Sequence, residues 1–336
     1  MTTAVLPPAL ALLLLEIPFP RIDPVALDIP GPIDLRWYGL GYLAGFAVAY
    51  LIVRRLSRDG FLRMDPDAAG DLLTALVLGV ILGGRLGYIL FYDFASFLGN
   101  PLRIFRIWEG GLSFHGGLLG VTAAIFWFTR SRGIGFFNLG DALSLAIPFG
   151  IFFVRVANFI NGELFGRPAG PDVPWAMRFP TDPEALRLMG AEGLGLRQRE
   201  EAIERAYETG LWERIQGEVP LRHPSQLYEA LTEGLLLGLL LWGLFAVMRW
   251  RGRRFPDGTF GGVFLIGYGV FRSFVELFRQ PDAQFRGPED PLGTVLGPLT
   301  MGQTLSMLMI LVGVAILVHA WRRPGPLTTP RSSGRG

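Results

Sequence analysis

Seven apolar stretches, each bounded by charge or by Pro and Gly, run along the chain at about 37–53, 70–91, 111–129, 138–160, 225–248, 259–278 and 301–320. A helix needs roughly 20 apolar residues to cross the bilayer hydrocarbon, and in lipid the backbone must satisfy its own polar groups. The pattern therefore predicts an all-α fold: a polytopic membrane helical bundle of about seven transmembrane helices, forming a single integral membrane domain over 1–336. Three segments stand apart. The Pro-broken 1–35 reads as an extracytoplasmic or interfacial N-terminal segment. Its apolar run Ala9–Leu15 is too short to span, and no basic stretch precedes it, which argues against a cleaved signal peptide. Residues 161–222 mix Arg and Glu with Pro and Gly, include a helical-looking stretch at 183–216, and read as a small extracytoplasmic head insert. Residues 321–336 read as a cytoplasmic tail.

Arginine clusters follow the first, third, fifth and seventh stretches: Arg54, Arg55, Arg58 and Arg63; Arg130 and Arg132; Arg249, Arg251, Arg253 and Arg254; Arg322 and Arg323. Positive charge in short loops marks the cytoplasmic side, so the N-terminus is expected outside and the C-terminus inside. With that orientation, polar residues from six stretches fall in one layer near the outer leaflet. Tyr38 opens the first stretch. Arg85 and Tyr88 lie near the end of the second, and His115 near the start of the third. Arg155 and Asn158 close the fourth. His223, Gln226, Tyr228 and Glu229 open the fifth, while Tyr268, Arg272 and Glu276 occupy the sixth. Unrelated structural polar residues would scatter over both leaflets. A charge at membrane depth costs several kcal/mol unless paired or wetted, roughly 3 kcal/mol or more for Arg. The layer thus implies one polar cavity facing the outer side.

Helical spacing agrees. Tyr268, Arg272 and Glu276 share a face at i, i+4, i+8, as do Arg85, Tyr88 and Tyr92 at i, i+3, i+7, and Arg155, Asn158 and Gly162 at the same spacing. Arg272 and Glu276 could equally be an internal ion pair that makes the helix insertable. Gly79, Gly83, Gly84 and Gly87 fit close helix packing. Gly116 and Gly117 either pack in the same way or leave room beside His115.

Composition sharpens the chemistry. Half the residues are hydrophobic and 18% charged, with a mean hydropathy of +0.38, which excludes an ordinary soluble domain. The net charge of +2 says little about partners, among which no nucleic acid is expected. There is no cysteine, so this chain supplies no thiol nucleophile, disulfide or thiolate ligand. Lysine is also missing, so every permanent side-chain cation is a guanidinium. Guanidinium grips phosphate in a bidentate fork and stays charged, which suits an anionic lipid headgroup. His115 can accept a proton near neutral pH. His223 precedes Pro224 and fits a helix start, and His319 lies at the opposite, interfacial end. These scattered histidines show no metal-ligand spacing, and no metal or cofactor is expected.

Several motifs together resemble the bacterial phosphatidylglycerol–prolipoprotein diacylglyceryl transferase family: W-Y-G (37–39), G-G-R-L-G-Y (83–88), W-E-G-G-L-S-F-H-G-G-L-L-G (108–120), R-V-A-N-F-I-N-G-E-L-F-G-R (155–167), H-P-S-Q-L-Y-E (223–229) and G-Y-G-V-F-R-S-F-V-E-L-F-R-Q-P-D (267–282). Ala157 stands where the family usually has Gly. The resemblance implies seven membrane helices with an extracytoplasmic head, in the bacterial cytoplasmic (inner) membrane. It implies transfer of the sn-1,2-diacylglyceryl group from phosphatidylglycerol to the lipobox cysteine of a preprolipoprotein signal peptide, with glycerol 1-phosphate leaving. It places the family's essential histidine at His115 and its signature arginine and asparagine at Arg155 and Asn158. Further important positions fall at Tyr38, Glu163, Gly166, Tyr268, Arg272 and Glu276. Arg155 and Arg272, with Tyr268, Arg85 and Gly166, are expected to bind substrate. His115 or a carboxylate is expected to serve as base, with Glu163 and Glu276 orienting the arginines. The competing expectations are an anionic-lipid or small-anion transporter, and a different enzyme acting on lipid-linked phosphates.

Overall fold

The computed structural model describes residues 17–27, 34–106, 111–281 and 293–322. The run Ala9–Leu15, the residues Trp108 and Glu109, and the tail beyond Arg322 lie outside the described residues. All seven apolar stretches become helices. We number the helices that carry the argument α1 (Trp37–Arg58), α2 (Ala69–Tyr92), α3 (Phe114–Arg132), α4 (Phe136–Ser144), α5 (Ile147–Ile160) and α6 (Leu196–Glu208). The fifth stretch, α7 (Ser225–Trp250), is followed by α8 (Thr259–Val275) and α9 (Met301–Arg322). Among the described residues the strands form two short antiparallel ribbons, Val25–Leu27 with Leu35–Arg36 and Thr294–Leu296 with Leu299–Thr300.

Among the described residues four helices are long and apolar enough to cross a membrane alone: α1, α2 with the turn before it, α7 and α9. A fifth span forms if α4 and α5, bent by 41° at their junction, count together. The sequence read one continuous helix there. α8, with 17 residues, is shorter. These helices make the chain a multi-pass membrane protein. The helical-looking stretch 183–216 breaks into Pro183–Leu188, α6 and Leu211–Ile215, because Gly190, Gly193 and Gly210 adopt positive φ between them.

The chain divides into two compact units. One comprises Phe46–Ile147, Leu240–Phe264 and Gly313–Gly336. In it α2 and α3 pack backbone to backbone: a Cβ on Gly83 would collide with the Gly116 carbonyl, and one on Gly116 with the Gly83 carbonyl. This is the small-residue contact expected of membrane helices. Phe61, Phe245 and Phe260 meet edge to face. Buried Asp141 of α4 accepts the backbone N–H groups of Gly258 and Gly261 at 2.7 and 2.8 Å, capping the start of α8.

The other unit comprises Met1–Gly45, Pro148–Leu239 and Leu265–Val312. Its polar insert has a small core of Ala185, Ala206, Trp212 and Val219, packed by Leu188, Tyr207, Leu211 and Ile215. Arg222 pairs with Asp182 at 2.8 Å, both buried. Arg36, just before α1, holds Glu200 of α6 through Nη1 and Nη2 at 2.6 and 2.9 Å.

Candidate functional site

Most of the sequence-derived residues meet in the second of these units. α5 ends at Ile160, and Gly162 follows with φ of 65°, so Gly162 leaves the helical face that the spacing assigned to it. Leu164 also adopts a positive φ, 58°, unusual for a branched side chain. Strain of this kind costs about 1–3 kcal/mol and persists only where neighbours hold it. Here they do. The Ser225 hydroxyl donates to the Leu164 carbonyl at 3.0 Å, Gln226 Nε2 donates to the Glu163 carbonyl at 2.6 Å, and the Thr181 hydroxyl donates to the Gly162 carbonyl. Ser225 and Gln226 come from the fifth motif, so one motif pins the turn of another.

That turn aims a chain of polar groups. Arg155 Nη1 donates to Asn158 Oδ1 at 3.3 Å, and Asn158 Nδ2 donates to Glu163 Oε1 at 2.7 Å. Arg155 Nε lies 2.6 Å from Oε2 of Glu229, a carboxylate with no exposed side-chain surface. Arg279 Nε approaches the other oxygen of Glu229 at 3.7 Å. Tyr38 lies within electrostatic reach of Arg155 and Glu163, and its hydroxyl sits 3.2 Å from that of Tyr42.

A second pair lies on α8 and the turn after it. Arg272 Nη2 and Glu276 Oε2 are 2.7 Å apart, with side chains 15% and 4% exposed. The i, i+4 spacing thus produces the ion pair that the sequence left as one of two readings. Nη1 of Arg272 is buried and makes no hydrogen bond among the described residues. Buried donors are normally satisfied, and an orphan calls for an explanation such as a bound anion. Glu233, fully buried one turn beyond Glu229, lies within electrostatic reach of Arg155, Arg272 and Tyr268. Glu233 lies in a π-helical segment of α7, Ala230–Leu236, a local widening that recurs at functional sites.

Gly166 acts through its backbone. Its N–H donates to the His223 carbonyl at 2.8 Å, and a Cβ there would meet the Phe278 carbonyl and His223. His223 itself sits before α7, its Nδ1 3.1 Å from the Tyr228 hydroxyl, which accepts from Trp175 Nε1 at 2.6 Å. Burial pushes the His223 imidazole below the ordinary histidine pKa.

His115 and Arg85 belong to the other unit. His115 is exposed in the first turn of α3, where the Ser113 side chain caps by accepting the Gly116 N–H. Arg85 is buried on α2 and donates to the backbone carbonyls of Ile104 and Gly111, each at 3.2 Å. It also lies 6.0 Å from the Tyr88 ring, which stacks on Tyr92, so the predicted face exists. No cluster of metal-binding side chains occurs among the described residues. Sequence reasoning placed Glu229 in the polar layer without a role and missed Glu233. The available signal was an acidic pair four residues apart inside an apolar span.

Residues 24–319 match the family model for prolipoprotein diacylglyceryl transferase. Named relatives agree over nearly their whole lengths. A phosphatidylglycerol–prolipoprotein diacylglyceryl transferase of Rhodospirillum centenum is 44% identical over 95% of this chain and 99% of its own. Its counterpart in Rhodospirillum rubrum is 46% identical over 95% and 99%. That of Yersinia enterocolitica is 46% identical over 91% and 96%.

Proposed function

The chain belongs to the prolipoprotein diacylglyceryl transferase family, and from that premise we propose how its arginine cluster performs the transfer. The enzyme transfers the sn-1,2-diacylglyceryl group of phosphatidylglycerol to a prolipoprotein cysteine. The thiol sulfur forms a bond to the glyceryl carbon that carries the phosphate. The carbon–oxygen bond breaks, its electron pair leaves with glycerol 1-phosphate, and the product is a thioether. The enzyme's lack of cysteine fits a nucleophile that the substrate brings.

Negative charge grows on the leaving phosphate as the carbon–oxygen bond breaks. Preorganised donors aimed at that charge lower the barrier, typically by about 3–4 kcal/mol for one well-placed donor. Arg155 and Arg272 fill this role, and the observation that carries the assignment is the buried, unpartnered Nη1 of Arg272. Glu229 and Glu276 fix the two guanidinium planes, and Asn158 with Glu163 fixes the far edge of Arg155. The thiol proton goes to His115 or to a carboxylate. Tyr38 and Tyr268 line the site. Arg85 steadies the backbone at Ile104 and Gly111 within its own unit, and Gly166 lets the strand-like turns close. Seven spans, an external head over 161–222, a cytoplasmic C-terminus and the bacterial inner membrane complete the reading. The spans rest on the seven apolar stretches, the sidedness on the arginine distribution, and the inner membrane on the family. The peptide partner is the lipobox of a signal peptide.

The test is a mass-spectrometric transfer assay with phosphatidylglycerol and a lipobox peptide, paired with a Cys→Ser peptide. A diacylglyceryl mass increment on the Cys peptide alone, abolished by Arg155→Ala, supports the reading. An increment that survives Arg155→Ala contradicts it.

A further inference from the structure

The start of α9 is built onto the carboxylate that pairs with Arg272. Thr300 immediately precedes the helix and shares a reciprocal cap with Gln303. Gln303 N–H donates to Thr300 Oγ1, and Thr300 N–H donates to Gln303 Oε1, each at 3.2 Å. A hydroxyl has one proton to give and two lone pairs to receive. Thr300 gives its proton to Glu276 Oε1 at 3.0 Å, within the buried interior. The other carboxylate oxygen faces Arg272. Gly302, in the first turn, completes the seat: a Cβ there would lie 2.6 Å from the Glu276 carboxyl carbon and from Oε2. Any larger residue would displace the carboxylate from a helix N-terminus, where free N–H groups and the helix dipole favour an anion.

We propose that Thr300 and Gly302 are positioning residues for the transfer: they fix Glu276 on the first turn of α9, and Glu276 in turn aims the Arg272 guanidinium at the lipid phosphate. The proposal rests on the reading that Arg272 binds that phosphate. An ion pair alone leaves a glutamate free to rotate. Three constraints, a hydroxyl on one oxygen, a guanidinium on the other and a helix turn behind, leave it one orientation. The donor proton is the essential feature, so Ser substitutes for Thr at position 300 and Val does not.

The experiment measures kcat and KM for phosphatidylglycerol, together with Tm, on the full-length enzyme in lipid nanodiscs with a lipobox peptide. Arg272→Lys is expected to lose about a hundredfold in kcat/KM. Thr300→Val is expected to lose at least about tenfold, mostly in kcat, with Thr300→Ser within about threefold of the parent. Gln303→Ala removes the side-chain half of the cap, the acceptor for the Thr300 N–H, but spares the Thr300–Glu276 bond, so it lowers Tm and keeps activity. Gly302→Ala intrudes on the carboxylate, and the better helix propensity of alanine offsets part of the overpacking cost, so it lowers activity by more than its change in Tm accounts for. It stands in if Thr300→Val fails to fold. The double variant Thr300→Val/Arg272→Lys falls no further than Arg272→Lys alone, because both act through one guanidinium. Full activity in Thr300→Val or Gly302→Ala, equal losses in Thr300→Val and Gln303→Ala, or additive losses in the double variant would overturn the proposal. Full activity in Arg272→Lys would instead overturn the reading beneath it.

Discussion

Replacing Arg155 by lysine keeps the charge and removes the fork. In the structure the guanidinium works along two edges: Nε toward Glu229 at 2.6 Å and Nη1 toward Asn158 at 3.3 Å. A lysine ammonium is one point donor group and cannot span both while also facing a phosphate. Each hydrogen bond to a charged group is worth about 1.5–3 kcal/mol. Losing one such bond to the leaving phosphate, with partial misalignment of the rest, removes about 3 kcal/mol from the transition state. At about 1.4 kcal/mol per tenfold, the expected loss is roughly a hundredfold in kcat/KM. Because Glu229 has no exposed side-chain surface, Arg155→Ala also leaves a buried carboxylate with less compensation. Breaking a buried pair in this way costs about 3–5 kcal/mol of stability. The lysine variant is therefore the cleaner test, read by mass-spectrometric transfer rates beside a thermal-unfolding control. A well-folded Arg155→Lys enzyme within about threefold of the parent would refute the two-edged role.

Three further outcomes follow from the same geometry. Gly166→Ala is expected to lose activity and stability together, by about 1–3 kcal/mol as for other overpacked sites, because a methyl group there meets the Phe278 carbonyl. Unchanged Tm and rate would show that the turn can open without cost. Asp141→Ala strips the acceptor from two backbone N–H groups at the start of α8. It should cost about 2–4 kcal/mol in stability, with Asp141→Asn losing less, and equal Tm in all three proteins would contradict the capping role. His223 titrates below its ordinary pKa because burial disfavours the imidazolium. Its contribution to stability is therefore complete above a pH of about 6.5 and falls away as the pH drops. His223→Asn should make Tm less sensitive to acidification from pH 7 to 5, and an unaltered slope would reject the assignment.

Much of this was legible in the chain, for physical reasons that differ by element. Hydrophobic length alone located α1, α2, α7 and α9, because lipid demands it. Spacing of 3 and 4 found the Arg272–Glu276 pair and the Arg85, Tyr88 and Tyr92 face. The bend between α4 and α5 was not legible, since an apolar sequence continues through it. Gly162 was wrongly carried along the helical face because the helix ends two residues earlier. The positive φ of Leu164 and the π-helical turn around Glu233 depend on tertiary contacts that no local pattern encodes. Thr300 and Gln303 did carry a visible cap signature, T-x-x-Q at a helix start. Its second role, holding Glu276, joins residues 24 apart in sequence.

The central claim is that the buried arginine cluster holds the phosphate of phosphatidylglycerol. Native mass spectrometry of the detergent-released enzyme tests it most directly, comparing phosphatidylglycerol with diacylglycerol, which has the same tails and no phosphate. The account predicts that the parent enzyme retains phosphatidylglycerol well above diacylglycerol, and that Arg272→Gln, with its fold verified by thermal unfolding, loses this preference. Equal retention of phosphatidylglycerol by the parent and by Arg272→Gln would contradict it.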